Sequence, residues 1–239
     1  MATSERAVSN PVNSIVHRFL QPGRYSCKAT VSRLREQLGT LDLVGTYRLK
    51  RRAERMEETR LRIARAAFEL HATVGPAYTT ISAVARRAGV QRLTVYRHFP
   101  DEASLLRACT SYGFHAYPPP DPSPWWEIDD PEVRLRRALA DLYAYYRRTG
   151  DVWARVLRDL LLKPALAEVN RPFFEQMAQV RDRLAEGWGA RGRRRALLRA
   201  AIGHAMDFRS WRSLAIDQGL RDAEVVEVMA RAARCLTSG

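Results

Sequence analysis

Cysteine is scarce: three residues in 239, Cys27, Cys109 and Cys235, lie far apart with no CxxC spacing. That fits reduced thiols in a cytoplasm better than a disulfide framework. The five histidines, His17, His71, His98, His115 and His204, lack metal-ligand spacing, and neither HExxH nor GxSxG occurs. Catalysis therefore has no visible seat, and no metal or cofactor is expected. No apolar run reaches about eighteen residues, so no membrane span is expected. Ser4, Glu5, Arg6 and Asn10 break the region after Met1, unlike a signal peptide. Strand-like alternation of useful length is missing too, which leaves an all-α class.

Lysine is nearly absent, at 3 residues against 37 arginines within a formal net charge of +14. Such a charge attracts polyanions, but arginine-rich usage also follows from a GC-rich genome. The excess is uneven: eleven Lys/Arg against four Asp/Glu over residues 1–56, eight against five over 57–112. Basicity is thus no special property of the stretch that carries the main motif.

That stretch is Thr79–Phe99, TTISAVARRAGVQRLTVYRHF. Ile81, Val84, Ala85 and Ala88 recur at i, i+3, i+4 and i+7 behind the N-cap candidates Thr79 and Thr80, which predicts a short amphipathic helix. Gly89 ends it. A second helix follows, in which Val95 and Phe99 are apolar and Gln91, Arg92, Thr94, Tyr96, Arg97 and His98 are polar. Two helices joined by a tight turn, the second with a polar side, are the pattern of a helix-turn-helix that reads DNA. Upstream, Ile63, Ala64, Ala67, Phe68 and Leu70 predict a first helix closed by Val74-Gly75, and three such helices can share one small core.

With Thr79-Thr80, Ala88-Gly89-Val90, Thr94-Val95-Tyr96-Arg97-His98-Phe99 and Leu105-Leu106, residues 57–112 resemble the DNA-reading domain of the TetR family of bacterial transcription regulators. The resemblance implies phosphate contacts from Thr80 and Tyr96 and groove-facing roles for Gln91, Arg92, Thr94 and Arg97. His98 belongs to the same set, although its position also suits packing beside Phe99. Arg92 and Arg97 could hold guanine in bidentate fashion or neutralise phosphates. Three positions depart from the family's habit, which often has Ser at 91, Gly at 93 and a phosphate-touching Lys at 102, where Glu102 would repel phosphate.

Residues 1–55 mix Pro11, Pro22, Gly23, Gly39 and Gly45 with scattered basic residues and end in Arg48-Leu49-Lys50-Arg51-Arg52. This composition suggests a poorly ordered basic arm with a short helix near Ala29–Gln37, able to touch phosphates or the minor groove. Alternatively, Met56-Glu57-Glu58-Thr59 makes a natural beginning for the chain. Residues 56–114 form the expected DNA-binding domain, and 115–130 are a proline-rich connector with Trp125 and Trp126 as docking anchors. Residues 131–239 form a helical regulatory and dimerisation domain, with helices expected at 131–149, 152–162, 164–187, 193–218 and 222–236 and a turn at Gly150-Asp151.

In that half, Leu197, Leu198, Ala201, Ile202, Ala205, Met206, Phe208 and Trp211 cover more than one narrow stripe, as do Val225, Val226, Val228, Met229, Ala232 and Ala233. Such faces suit a core plus a second copy, and the resemblance implies a homodimer through two C-terminal helices, reading a palindrome with half-sites roughly 34–36 Å apart. It also implies a small effector, apolar or aromatic, and Tyr143, Trp153, Phe174, Met177 and His204 are candidates for its wall. Gly187-Trp-Gly189-Ala-Arg-Gly192 matches GxGxxG, but a helix precedes it where a dinucleotide fold needs a strand, so it reads as a turn between helices. The expected protein is a cytoplasmic, ligand-responsive regulator of transcription, more in the manner of a repressor, binding double-stranded DNA. Two other classes stay open: a helical small-molecule-binding protein with weakened DNA affinity, motivated by Gln91, Leu93 and Glu102, and a sequence-indifferent nucleoid-associated protein, motivated by charge.

Overall fold

A computed structural model describes residues 42–237, and its secondary structure there is entirely helical. Helix α1 spans Asp42–Thr73. Its sequence from Tyr47 to Thr73 holds no glycine or proline and is rich in Ala, Leu, Arg and Glu, the residues that lose least on entering a helix. Propensity therefore prevails over charge density, and the part of the expected irregular arm from Asp42 onward is helical. The short helix expected near Ala29–Gln37 lies outside the described residues.

A 3₁₀ turn at Pro76–Tyr78 leads into α2, Ile81–Ala88, and α3, Arg92–His98. The Thr80 hydroxyl caps α2 by accepting the Ala83 N–H at 3.2 Å, and Gly89 ends it in the left-handed conformation, φ 64°. Asp101 caps α4, Glu102–Ala116, through the Ser104 N–H at 2.6 Å. One face of each helix closes a small core of Ile63, Ala67, Val84, Val95, Phe99, Leu105 and Leu106.

The connector docks as the tryptophans suggest. Trp125 lies in a 3₁₀ turn, Ser123–Glu127, buried, with its indole N–H donated to Asp141 at 2.8 Å. Beyond it run α5, Pro131–Asp159, α6, Pro164–Leu184, and α7, Gly192–Met206. Then come α8, Phe208–Arg212, a π-helical turn at Ser213–Asp217, and α9, Asp222–Cys235. The GxGxxG stretch forms the α6–α7 turn, as its helical surroundings suggest.

Two helix boundaries differ from the sequence reading. The turn expected at Gly150-Asp151 is absent, and α5 runs through it. Gly150 keeps ordinary helical geometry and faces the Phe208 and Trp211 rings, while the buried Thr149 hydroxyl donates to the Tyr145 carbonyl at 2.8 Å. Packing against these rings offsets the glycine's helix cost of about 1 kcal/mol. Conversely, the helix expected over 193–218 breaks at Asp207, which is extended (ψ 133°) and accepts the Arg209 N–H at 2.7 Å, restarting the chain as α8. Asp at such a position competes with the helix by capping the next one.

Candidate nucleic-acid interface and effector cleft

The recognition helix α3 is anchored by Val95, fully buried, and by Phe99 just beyond it. Around that anchor Gln91, Arg92, Tyr96 and Arg97 are exposed, with Thr94 and His98 half-buried. Leu93, which the sequence reading treated only as a departure, is the most exposed side chain of this surface among the large apolar residues, at 76 %. Its place between Arg92 and Thr94 suits apolar contact with a thymine methyl. A large apolar side chain flanked by polar ones on a helix this short was the available signal. Thr80 is exposed at the start of α2, where its oxygen serves as the cap, leaving the hydroxyl proton to be donated.

Arg60 of α1 holds the far end of α3: it donates to the His98 carbonyl at 2.9 Å, and its guanidinium lies 4.5 Å from the Phe99 ring centroid. Burial, with Arg97 and Arg60 nearby, pushes the His98 imidazole below its ordinary range. Glu102, where repulsion of phosphate was expected, instead pairs with Lys163 in the α5–α6 connection. Its charge is met by the C-terminal half.

The same half grips the other end of the DNA-reading domain. Arg155 donates to the Thr73 carbonyl at 2.7 Å and Arg158 to the Val74 carbonyl at 3.0 Å, which satisfies carbonyls left open where α1 stops. Asp159, fully buried, accepts the Ala77 N–H at 2.9 Å and is braced by Arg158 at 2.7 Å. Burial opposes its charge, but these partners prevail and hold the carboxyl below the usual range. Gly75 is obligatory at the centre: φ is 98°, and a Cβ there would stand 2.3 Å from the Arg158 guanidinium and 2.5 Å from the Asp159 carboxylate. Three charged residues at one helix end therefore fix the turn leading into α2.

Of the five residues expected around an effector, Trp153, Phe174 and Met177 line one cleft of about 190 Å³ between α5, α6 and the α7–α8 break. Phe173, Tyr146, Leu157 and Phe208 complete its apolar wall, with Arg181 and Asp207 as polar members. The Trp153 and Phe173 rings stack with centroids 4.9 Å apart. Phe173, Tyr146 and Phe208 were not among those five; Phe208 joins the wall where the chain breaks at Asp207.

The structure separates the other two. Tyr143 is fully buried in the core, its hydroxyl donating to the Ala205 carbonyl at 2.9 Å, and burial raises its pKa. His204 is exposed, 3.1 Å from the Ser210 hydroxyl, in a different groove. A second, smaller cavity of about 60 Å³ lies between the halves and is lined by Phe68, His71, Cys109, Tyr145, Trp153 and Asn170. Trp153 forms part of both walls.

Residues 63–109 match the family described as bacterial regulatory proteins, tetR family. No curated protein matches the sequence. Among solved structures, a Clostridium perfringens protein described as a fatty acid metabolism regulator is 18 % identical over 73 % of this chain and 97 % of its own, with a TM-score of 0.55. A TetR-like transcriptional regulator from Rhodococcus sp. RHA1 is 16 % identical over 74 % and 93 %, TM-score 0.53. A transcriptional regulator from Saccharomonospora viridis, solved in complex with choline, is 18 % identical over 73 % and 95 %, TM-score 0.51. At these identities the likeness is one of fold. Among the described residues no helix is long and apolar enough to cross a membrane.

Proposed function

We propose that this chain is a DNA-binding transcriptional regulator of the tetR family, and a homodimeric repressor that reads a palindromic operator and lets go when a small molecule fills the cleft beside Trp153. The observation that carries the reading is the recognition helix itself. It buries Val95 and Phe99 and leaves Arg92, Tyr96 and Arg97 to the solvent at the end of a rigid three-helix core. Arg92 and Arg97 serve base edges, Tyr96 and Thr80 the phosphates. Since Glu102 is paired with Lys163, it gives no support to the alternative of a binding protein with weakened DNA affinity.

Dimerisation uses α7 and α9, where Leu197 (39 % exposed) and Val228 (46 %) lie beside exposed Ala200 and Ala232. A second copy set by a two-fold axis covers these faces and fixes the spacing of the two recognition helices. The effector is a small apolar or aromatic molecule, since a cleft of about 190 Å³ somewhat exceeds the roughly 150 Å³ cavity that holds benzene. The binding of choline by the Saccharomonospora viridis relative is compatible with a ligand of this size. Occupancy acts on Trp153 and Leu157 in α5, and Arg155, Arg158 and Asp159 of the same helix hold the turn before α2. For release, the effector has to bind the DNA-free arrangement more tightly than the bound one.

Recovery of genomic fragments by the purified chain at physiological salt tests the reading. One enriched palindrome, lost in the Arg92→Ala/Tyr96→Ala double variant, is the expected result. Equal capture of unrelated duplexes, collapsing as salt rises, would instead mark a sequence-indifferent DNA-coating protein.

A further inference from the structure

Upstream of the small core, α1 continues as a helix that packs against no other element among the described residues: every residue from Tyr47 to Glu58 is exposed, and full burial begins with Ile63. At 3.6 residues per turn, Arg48, Arg51, Arg52, Arg55 and Arg62 fall within roughly 100° of arc. Glu54 and Glu57 fall on the far side and Glu58 at the border. All five arginines are exposed, and none is ion-paired among the described residues; Arg51 only leans on Tyr47, at 3.4 Å from its hydroxyl. Like charges three and four residues apart on one helix face repel, so a partner of opposite charge would stabilise this face.

We propose that the arginine face of α1 is a second DNA-binding surface, gripping the phosphate backbone beside the base pairs read by α3 and extending the footprint of each half-site. The partner follows from continuity. Arg60 ties α1 to the carbonyl at the end of the recognition helix and stacks on Phe99, so the arginines are held at a fixed offset from the DNA-reading helix. Arg48 stands twelve residues before Arg60, about 18 Å along the helix, enough to pass a major groove about 12 Å wide. A chain of backbone phosphates is the polyanion at that place, and guanidiniums pair with phosphate in bidentate geometry. This surface carries no base readout. It adds affinity and salt dependence and leaves sequence preference to α3.

The proposal rests on the chain being a DNA-binding regulator, and the test separates the two. The full chain and its Arg48→Gln/Arg51→Gln/Arg52→Gln/Arg55→Gln variant are titrated with the genomically selected duplex over a salt series. A charge-matched control, Arg148→Gln/Arg171→Gln/Arg191→Gln/Arg212→Gln, removes four exposed arginines of the other half. Circular dichroism checks that helix content is kept. The N-terminal variant is expected to bind at least about 10-fold more weakly at 0.15 M salt, with a log–log salt slope shallower by about 3. It should show the same preferred sequence and a footprint shortened at its flanks, with the control unchanged. Affinity and slope equal to the unaltered chain, or an equal loss in the control, overturn the proposal. Tighter binding of the arginine face to anionic lipid vesicles than to the duplex overturns it as well. If the unaltered chain selects no sequence while the N-terminal variant still loses slope, it is the sequence-specific reading that fails, and the arginine face stands.

Discussion

Between the helix-turn-helix end and the C-terminal half, the cores are built of different material. Ile63, Ala67, Val84, Ala85, Val95 and Leu106 fill the first, with Phe99 as its one fully buried aromatic ring. Trp125, Tyr143, Tyr145, Tyr146, Trp153, Phe208 and Trp211 fill the second. Small aliphatic side chains let three short helices approach closely and hold their outward faces rigid, which suits a surface that has to match a groove. Between the large rings of the second a cleft of about 190 Å³ remains. The two are not independent: Leu166 of α6 is buried in the small core, and the Arg155–Asp159 segment holds the turn before α2.

The strongest way to break this comparison is to disturb one core and watch the other. Ile63→Ala in the small core is expected to cost about 2–5 kcal/mol. All five tryptophans lie outside the small core, two in the connector and three in the C-terminal half, so their fluorescence during urea unfolding should shift by the same amount as the circular dichroism. An unmoved tryptophan transition would mean that the halves unfold separately.

Function should divide where stability does not. Arg92→Ala is expected to weaken operator binding by about 1–3 kcal/mol, with no change in Tm, because the side chain is exposed and supports nothing. A fall in Tm alongside the lost affinity would show that the recognition helix is held by more than its buried face.

Acid should act through the junction. Burial, reinforced by Lys163, pushes His71 down to about 4, whereas in the unfolded chain it titrates near 6.5. As pH falls below 6.5 the unfolded state takes up a proton that the folded state refuses. This contribution is therefore fully present above about pH 6.5 and shrinks below it, by about 2 kcal/mol at pH 5. Denaturant unfolding at pH 7 and 5 measures the drop, and His71→Gln should flatten it. An equal drop in that variant would place the acid sensitivity elsewhere.

The smallest effect sharpens the regulatory side. Gly150 has helical geometry, and an added Cβ would meet only ring atoms at 3.7–3.9 Å, ordinary contact distances. Gly150→Ala is expected to raise stability by about 0.5–1 kcal/mol. A loss, read as a lower Tm, would mean that the Phe208 and Trp211 rings pack too tightly against α5 to accept a methyl group.

How much was legible in the sequence follows the same division. The motif at Thr79–Phe99 was readable because its information is local: an N-cap at Thr80, a left-handed glycine at 89, and apolar residues at helical spacing on one face. In the regulatory half, Gly150 looked like a turn and the stretch around Asp207 like helix interior, and both were reversed. Gly150 is decided at a distance, by the rings of Phe208 and Trp211 packed against it; Asp207 is decided by local competition, its carboxylate capping the Arg209 N–H two residues on where a helix interior was expected. Tyr143 and His204 were plausible cleft residues on composition alone, yet one spends its hydroxyl on the Ala205 carbonyl and the other points elsewhere.

The sequence by itself determined the helical class, the positions of α2 and α3, and the polar set displayed on α3, because helix periodicity and capping act over a few residues. Tertiary structure alone decided that Glu102 answers to Lys163, that Asp159 holds the turn at Gly75, and that Trp153, Phe174 and Met177 share a cleft. Those contacts join residues 61, 82 and about two dozen positions apart. No local propensity encodes such pairings; they exist only once burial has brought the helices together.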